Sequence, residues 1–194
     1  ADEGVPLSDW SGVVATDIPM GASLSSSAAL EVACASVVLA LAQQADLFGG
    51  RELALLGQRV ENDVLGLPSG IMDQLISATA RAGHASLIDC RSLQAVEYPL
   101  PTEAAVIVMD TLTRRELIES EYADRRADCA EAALRIGVPA LRDARIEDLV
   151  RLNDDRLRRR AHHVVTENQR AVDAAAAMGA DDAATLGELM NASH

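Results

Sequence analysis

The chain has 194 residues, of which 49% are hydrophobic and 24% charged, and its net charge is −13. This composition predicts a globular protein with ample core material, and the acidic balance argues against a nucleic-acid partner, which would require a basic stripe. The chain contains no lysine, which excludes a Walker A loop and a protein-kinase core because both need a lysine at the phosphates.

Residues that form disulfides or zinc sites are few. The three cysteines, Cys34, Cys90 and Cys129, are widely spaced and form no CxxC pair, so neither a disulfide framework nor a zinc site is predicted. No apolar run reaches the length of a membrane span, so no membrane partner is expected. Reduced thiols in such a chain predict a cytoplasmic protein.

The first predicted elements surround a serine-rich loop. Residues 13–16 are predicted to form a short strand, and residues 19–28 (PMGASLSSSA) lead into a helix whose apolar positions recur up to Leu41. We expect Gly49 and Gly50 to end this helix. Unpaired N–H groups and the positive dipole at a helix N-terminus bind phosphate, although serine is also common there simply as a good N-cap.

Two further helices are predicted over residues 53–64 and from residue 69 to residue 76, joined by a Gly/Pro-containing turn. Glu61 lies near the end of the former and Asp73 in the first turn of the latter, so both carboxylates can face the serine loop. One carboxylate and one hydroxyl can hold Mg²⁺ on phosphates, and a second carboxylate can orient or deprotonate an acceptor hydroxyl. From periodicity alone, the better explanation is that Glu61 is a solvated acid on its helix and that Asp73 is simply favoured by the dipole of the helix that it begins.

The rest of the chain changes from mixed to helical. A hairpin is predicted over residues 84–90 and 96–100, followed by a fully buried strand over residues 105–109. Helices are then predicted over residues 119–136, 146–152, 158–178 and 182–190. This order predicts two lobes with a boundary between residues 111 and 119.

Five segments closely resemble the galactokinases of the GHMP small-molecule kinase superfamily. They are residues 19–33 (PMGASLSSSAALEVA), 61–62 (EN), 66–74 (GLPSGIMDQ), 84–93 (HASLIDCRSL) and 120–126 (SEYADRR). The similarity continues in order to the last residue. It implies the two-lobed α+β GHMP fold, with a ribosomal-protein-S5-domain-2-like, ATP-binding lobe over residues 1–112 and the start of a mostly helical lobe over residues 113–194.

The resemblance also implies roles for individual residues. The ATP phosphates would be wrapped by the segment that we call the phosphate loop: Gly21, Ala22, Ser23, Leu24, Ser25, Ser26 and Ser27. Ser27 and Glu61 would ligate Mg²⁺. Asp73 would act as catalytic base at the sugar C1 hydroxyl, and Gly70 and Tyr122 would contact the sugar. The implied reaction converts galactose and ATP to galactose 1-phosphate and ADP, and a monomer is favoured.

The chain departs from the family pattern in two respects. The family usually has glycine where Ser23 stands, and a Cβ is tolerated there if φ is negative. The family's N-terminal sugar-binding motif and C-terminal glycine-rich motif have no counterpart in this sequence. The chain thus resembles the middle of a galactokinase, incomplete at both ends, and we expect it to be poorly stable alone.

Two other functions remain open at this point. One is a GHMP kinase that acts on a related sugar such as N-acetylgalactosamine, since the missing N-terminal motif holds much of the sugar selectivity. The other is a non-catalytic sensor of galactose and ATP. The presence of Ser27, Glu61, Asp73 and Tyr122 argues weakly against the sensor.

Overall fold

The computed structural model of the protein describes residues 4–6, 9–67, 69–110 and 118–194, the first four residues of the last range by their backbone only. The elements in chain order are α1 (Ser26–Leu41), α2 (Gly50–Arg59), a π-helical turn (Val60–Val64), α3 (Met72–Thr79), β1 (His84–Asp89), β2 (Gln94–Pro99), α4 (Ile118–Ile136), two 3-10 turns (Leu141–Asp143 and Ile146–Arg151), α5 (Asp155–Gly179) and α6 (Ala183–Ser193).

The chain divides into two compact units. Among the described residues, the first unit comprises those up to Glu97 together with Asp110, and the second comprises residues 98–109 and 118–194. The lobe boundary predicted between residues 111 and 119 lies almost entirely outside the described residues. None of the helices in the described part of the chain has both the length and the apolar content needed to cross a membrane.

The first unit is built on three helices that pack on one another, α1, α2 and α3. Its small buried apolar centre consists of Ala54, Ile71 and Leu75. Partly buried side chains from α3, β1 and the hairpin turn pack against this centre: Ala78, Ile88 and Leu93. The predicted order of three helices followed by a hairpin is confirmed by α1, α2, α3 and the pair of β1 and β2.

The paired glycines have a different role from the one predicted for them. The first helix ends at Leu41, whereas Gly50 begins α2 with Gly49 as its N-cap. A Cβ on Gly50 would lie 2.9 Å from the carbonyl oxygen of Ala78 and 2.7 Å from Cγ2 of Thr79. Glycine is therefore required at this position because the start of α2 approaches the end of α3 closely.

Two predicted strands are wrong in this structure. Residues 13–16 and 105–109 form no strand, and the only sheet of the described residues contains β1 and β2. The burial predicted for residues 105–109 is wrong as well, since Ile107 is 78% exposed. Strand-forming residues give a segment its preference, but a strand also needs a neighbour that takes up its backbone hydrogen bonds.

The second unit is formed mainly by helices. Its core joins α4, α5 and the two 3-10 turns through a single cluster of buried side chains: Ala132, Ala133, Ile136, Leu141, Ala144, Leu149, Leu152, Leu157 and Ala161. The helices predicted over 119–136, 158–178 and 182–190 are confirmed as α4, α5 and α6. The helix predicted over 146–152 is instead a 3-10 turn, whose start is closed by a hydrogen bond from the Arg145 N–H to Asp148 Oδ2 (2.9 Å).

A buried acid also joins α4 to α5. Asp128 is only 8% exposed, and its two carboxylate oxygens accept hydrogen bonds from Arg156 and Arg160 on α5. Buried charges are tolerated when they are paired in this way. Arg156 and Arg160 therefore join α5 to α4 within the unit.

The start of α5 offers a test of stability against pH. The Asp154 carboxylate accepts hydrogen bonds from the N–H groups of Leu157 (3.1 Å) and Arg156 (2.8 Å), and these bonds lower the pKa of Asp154. The resulting stability is fully present above the ordinary aspartate pKa of about 3.9 and is lost as the pH falls through the lower pKa of the folded state.

Asp154→Ala is accordingly expected to lower the urea midpoint of unfolding at neutral pH, with a difference from wild type that shrinks in acid. Asp154→Asn should retain much of the midpoint, because asparagine is also a good N-cap. Urea titrations between pH 7 and pH 2.5 measure both effects. Equal midpoints for wild type and Asp154→Ala at pH 7 would show that this cap does not stabilise the unit.

Candidate active site

The phosphate loop has an unusual backbone. Gly21, Ser23 and Ser25 have φ values of +77°, +60° and +54°, whereas the residues between them have no positive φ. Alternation of this kind turns successive N–H groups toward one side and creates a concavity that binds anions. The alternating sign of φ directly before α1 therefore favours the phosphate-binding role predicted for this loop.

The serines of the loop are not simply helix caps. Ser25 is the N-cap residue of α1, but it has a left-handed conformation and its side chain makes no capping hydrogen bond, whereas an ordinary N-cap is extended and accepts from the first turn. The first turn of α1 is thus not capped by this hydroxyl. The alternative explanation of the serine-rich sequence as a plain N-cap loses its support.

A Cβ at position 23 was expected to be tolerated if φ is negative, but the φ of Ser23 is positive. A side chain in the left-handed region costs roughly 1–2 kcal/mol. Ser23→Gly removes that strain, but the greater conformational freedom of glycine in the unfolded chain lowers the stability by about 0.5–1 kcal/mol. We expect Ser23→Gly to raise the free energy of unfolding by about 0.5–1 kcal/mol.

Denaturant unfolding measures this change, with Ser26→Gly as the matched control. Ser26 is the first residue of α1 and has no positive φ, so glycine brings only an entropic cost there and should lower stability. A loss of stability in Ser23→Gly equal to that in Ser26→Gly would contradict the strain at Ser23.

The two predicted metal ligands are brought together by the fold. The Ser27 hydroxyl, at the start of α1, donates a hydrogen bond to Oε1 of Glu61 at 3.1 Å, across 34 positions of sequence. Glu61 is only 7% exposed. A hydroxyl oxygen and a carboxylate oxygen at this separation are oxygen ligands of the kind that Mg²⁺ takes.

A local irregularity sets the direction of the Glu61 side chain. Residues Val60–Val64 continue α2 as a π-helical turn, closed by a hydrogen bond from the Leu65 N–H to the Val60 carbonyl (3.1 Å). In a π turn the backbone hydrogen bond spans one residue more than in an α-helix, and such turns are frequent at functional sites. It shifts the helix face after Arg59 and places Glu61 inside, against α1.

The ligand set that the protein offers is small. Among the described residues, no group of three or more His, Cys, Asp or Glu side chains lies close enough together to hold a metal ion. Mg²⁺ needs six oxygen ligands and usually takes only one or two from protein side chains, with the remainder from phosphates and water. The Ser27–Glu61 pair fits an ion that arrives with a nucleotide and does not fit a resident structural metal.

The remaining predicted site residues occupy two different units. Asp73 is partly exposed in the first turn of α3, and Gly70 is exposed in the loop just before that helix. Pro68, the proline of the predicted turn, lies outside the described residues. Tyr122 lies on α4 of the second unit and is 49% exposed. The contacts of Asp73, Gly70 and Tyr122 with a sugar remain predictions.

Glu31, which lies near Glu61, and its hydrogen-bond partner Gln74 were missed by the sequence reasoning. Gln74 is completely buried, and its Nε2 donates to Oε2 of Glu31 at 3.3 Å. Burial raises the pKa of Glu31, the hydrogen bond from Gln74 opposes this rise, and the nearby Glu61 carboxylate adds to it. The spacing of Glu31 four positions after Ser27 was a signal for Glu31, because such residues share one face of a helix.

Comparison with known proteins agrees with this geometry. Residues 6–81 match the GHMP kinases N terminal domain, a stretch that contains the phosphate loop, Glu61 and Asp73. The first unit is therefore similar to the N-terminal domain of GHMP kinases over most of its length.

The chain is related more particularly to galactokinases. It is 45% identical over 190 residues to the galactokinase of Actinobacillus succinogenes, covering 94% of this chain and 48% of that protein. It is 48% identical to the galactokinase of a Roseiflexus species over an alignment of 200 positions, which covers 98% of this chain and 50% of that protein. The chain spans about half the length of these curated relatives.

A solved structure supports the same relationship. The crystal structure of Lactococcus lactis galactokinase complexed with galactose matches with a TM-score of 0.76 and 29% sequence identity, over 92% of this chain and 48% of that one. The α+β GHMP fold implied by the sequence resemblance is thereby confirmed.

Proposed function

We propose that the whole protein is a galactokinase, which phosphorylates the C1 hydroxyl of galactose with ATP. The observation that carries this proposal is the hydrogen bond between Ser27 and Glu61, because it joins the phosphate loop to a buried carboxylate and forms a two-ligand site for a nucleotide-bound cation. Relatives at 45–48% identity that are galactokinases support the choice of reaction.

The residues of the first unit divide the work between nucleotide and sugar. The phosphate loop, with its alternating positive φ values, would surround the ATP phosphates through backbone N–H groups and serine hydroxyls. Ser27 and Glu61 would hold Mg²⁺, which when bound neutralises charge on the phosphate oxygens. Residues 1–112 would then form the ATP-binding lobe, and residues 113–194 the start of the second lobe.

Three residues would contact the sugar, as the resemblance to galactokinases implies. Gly70 would let the backbone approach the sugar ring closely, and the Tyr122 hydroxyl would hydrogen-bond a sugar hydroxyl. Asp73 would accept the proton of the C1 hydroxyl or orient that hydroxyl for attack. These roles follow from the match of residues 66–74 and 120–126 to the family pattern, and the exposure of Gly70 and Tyr122 leaves both accessible to a ligand.

The reaction is a displacement at the γ-phosphorus of ATP. The C1 oxygen of galactose forms a bond to the γ-phosphorus, the bond from that phosphorus to the bridging β–γ oxygen breaks, and ADP leaves with the bonding electrons. The proton of the hydroxyl goes to the Asp73 carboxylate. Positioning and charge stabilisation would supply most of the rate acceleration, as is general for phosphoryl transfer.

The direct test is a coupled assay of ADP release by the whole protein, with galactose and N-acetylgalactosamine offered separately with ATP and Mg²⁺. We expect turnover with galactose and a much lower kcat/KM with N-acetylgalactosamine, and the galactose complex of the Lactococcus lactis relative favours this order. The opposite order would assign the protein to a related sugar. Binding of galactose and ATP without turnover would indicate a sensor. We further propose that the protein is cytoplasmic and monomeric. Size-exclusion chromatography with light scattering tests the oligomeric state.

A further inference from the structure

One face of α1 makes hydrogen bonds to two other elements. Ser27 and Glu31 lie one helical turn apart, so their side chains share a face. Ser27 bonds to Glu61 on the π-helical turn, and Glu31 bonds to Gln74 in the first turn of α3. These two bonds fix the π-helical turn and the start of α3 to the same stretch of α1.

Gln74 is an unusual residue for the place that it occupies. It is 0% exposed, and its Oε1 has no hydrogen-bond partner among the described residues. A buried amide with one unsatisfied atom costs about 1–3 kcal/mol relative to an apolar residue of the same shape. Packing alone therefore does not account for glutamine here, and the bond from its Nε2 to Glu31 is what the side chain provides.

We propose that Gln74 and Glu31 are positioning residues, whose hydrogen bond fixes the rotation of α3 and so holds Asp73 in its place relative to Ser27 and Glu61. Asp73 precedes Gln74 directly and lies about 100° from it around the helix. With Gln74 fixed to α1, Asp73 is held on a partly exposed side of α3. The inference rests on the proposed function, in which Asp73 meets the sugar and Ser27 and Glu61 meet the cation.

The surrounding packing leaves the pair little freedom to move. A Cβ on Gly57 of α2 would lie 3.0 Å from Oε2 of Glu31 and 3.1 Å from Cγ of Gln74. Helix α2 thus lies directly against the hydrogen bond, and a Cβ at position 57 would crowd both side chains. A bond enclosed on this side is shielded from water, which strengthens it.

The test removes the hydrogen bond and then restores it with its two partners exchanged. Gln74→Met keeps a similar volume without a donor, and Gln74→Glu places two carboxyls together. The double variant E31Q/Q74E allows Gln at position 31 to donate to Glu at position 74. In the whole protein, we expect kcat for galactose phosphorylation to fall about 10- to 100-fold in Gln74→Met, with KM for ATP and for galactose nearly unchanged. The double variant should recover most of the kcat that is lost in Gln74→Glu.

A second readout does not depend on activity. Hydrogen–deuterium exchange of the amides in α3 is expected to be faster in Gln74→Met and Gln74→Glu, and to return toward the wild-type rate in E31Q/Q74E. If the wild-type protein does not phosphorylate galactose, the proposed function fails, but these exchange rates still decide whether the bond fixes α3.

Gln169→Met serves as the matched control, because Gln169 on α5 donates to Asp173 at 2.9 Å on an exposed surface of the second unit. It removes the same type of bond and should leave kcat and the exchange of α3 unchanged. Wild-type kcat and exchange in Gln74→Met would overturn the proposal. So would a raised KM at constant kcat, or a double variant no more active than Gln74→Glu.

Discussion

Replacement of Asp73 by alanine is expected to lower kcat for galactose phosphorylation by about 10²–10⁴-fold, the range that a general base contributes, and to leave ATP binding largely intact. The reason is the proposed division of the site, in which the nucleotide is held by the phosphate loop and by Ser27 and Glu61, whereas Asp73 lies on a different helix, α3. Steady-state kinetics of ADP release and calorimetric titration with MgATP measure the two quantities separately.

Asparagine at this position separates two possible contributions of Asp73. Asp73→Asn preserves the shape of the side chain and its capacity to orient a hydroxyl, but it cannot accept the proton, so it should be nearly as slow as Asp73→Ala if proton transfer matters. Glu52→Gln is the matched control, because Glu52 is an acid in the first turn of α2 and its loss reproduces the change at a helix dipole. Wild-type turnover in Asp73→Ala would remove Asp73 from the reaction.

Substitution of Glu61 should act on the cation rather than on the chemical step. Glu61→Gln retains an acceptor for the Ser27 hydroxyl and fills the same space, but it removes the negative charge from a buried position. We expect the Mg²⁺ concentration for half-maximal activity to rise by at least about 10-fold, since even residues that only support a metal ligand commonly contribute that much. Glu61→Ala should have a larger effect and also lower stability, because it leaves a cavity.

Activity measured against Mg²⁺ at fixed ATP, and Mn²⁺ binding followed by electron paramagnetic resonance, test this expectation. Asp63→Asn is the control, since Asp63 belongs to the same π-helical turn but is exposed. An unchanged Mg²⁺ dependence in Glu61→Gln would show that the protein ligand of the cation lies elsewhere.

The local structure of the site was largely predictable. The apolar spacing after residue 28 predicts α1, and Glu61 meets the phosphate loop at Ser27 as expected. Most of the predicted helices are present in the structure because helix formation depends on periodicity and on residue preference, which are local properties, although the first helix ends at Leu41 and not at Gly49. The order of motifs, which spans nearly the whole chain, then supplied the family.

The sequence alone was insufficient wherever a residue's state depends on a distant partner. Residues 105–109 have strand-forming side chains, yet their backbone has no ladder in the described structure, and strand formation requires one. The positive φ of Ser23 is likewise invisible in composition, because serine rarely adopts it and only the closure of the loop imposes it.

The sequence by itself determined most of the helices, the hairpin and the kind of oxygen ligands available in and beside the serine-rich loop, because each depends on residue type and near spacing. Only the tertiary structure decided that Ser27 meets Glu61, that a π-helical turn directs Glu61 inward, and that Gln74 joins α3 to Glu31. Those contacts join residues 34 and 43 positions apart, and they exist only after α1, α2 and α3 have packed around a common core.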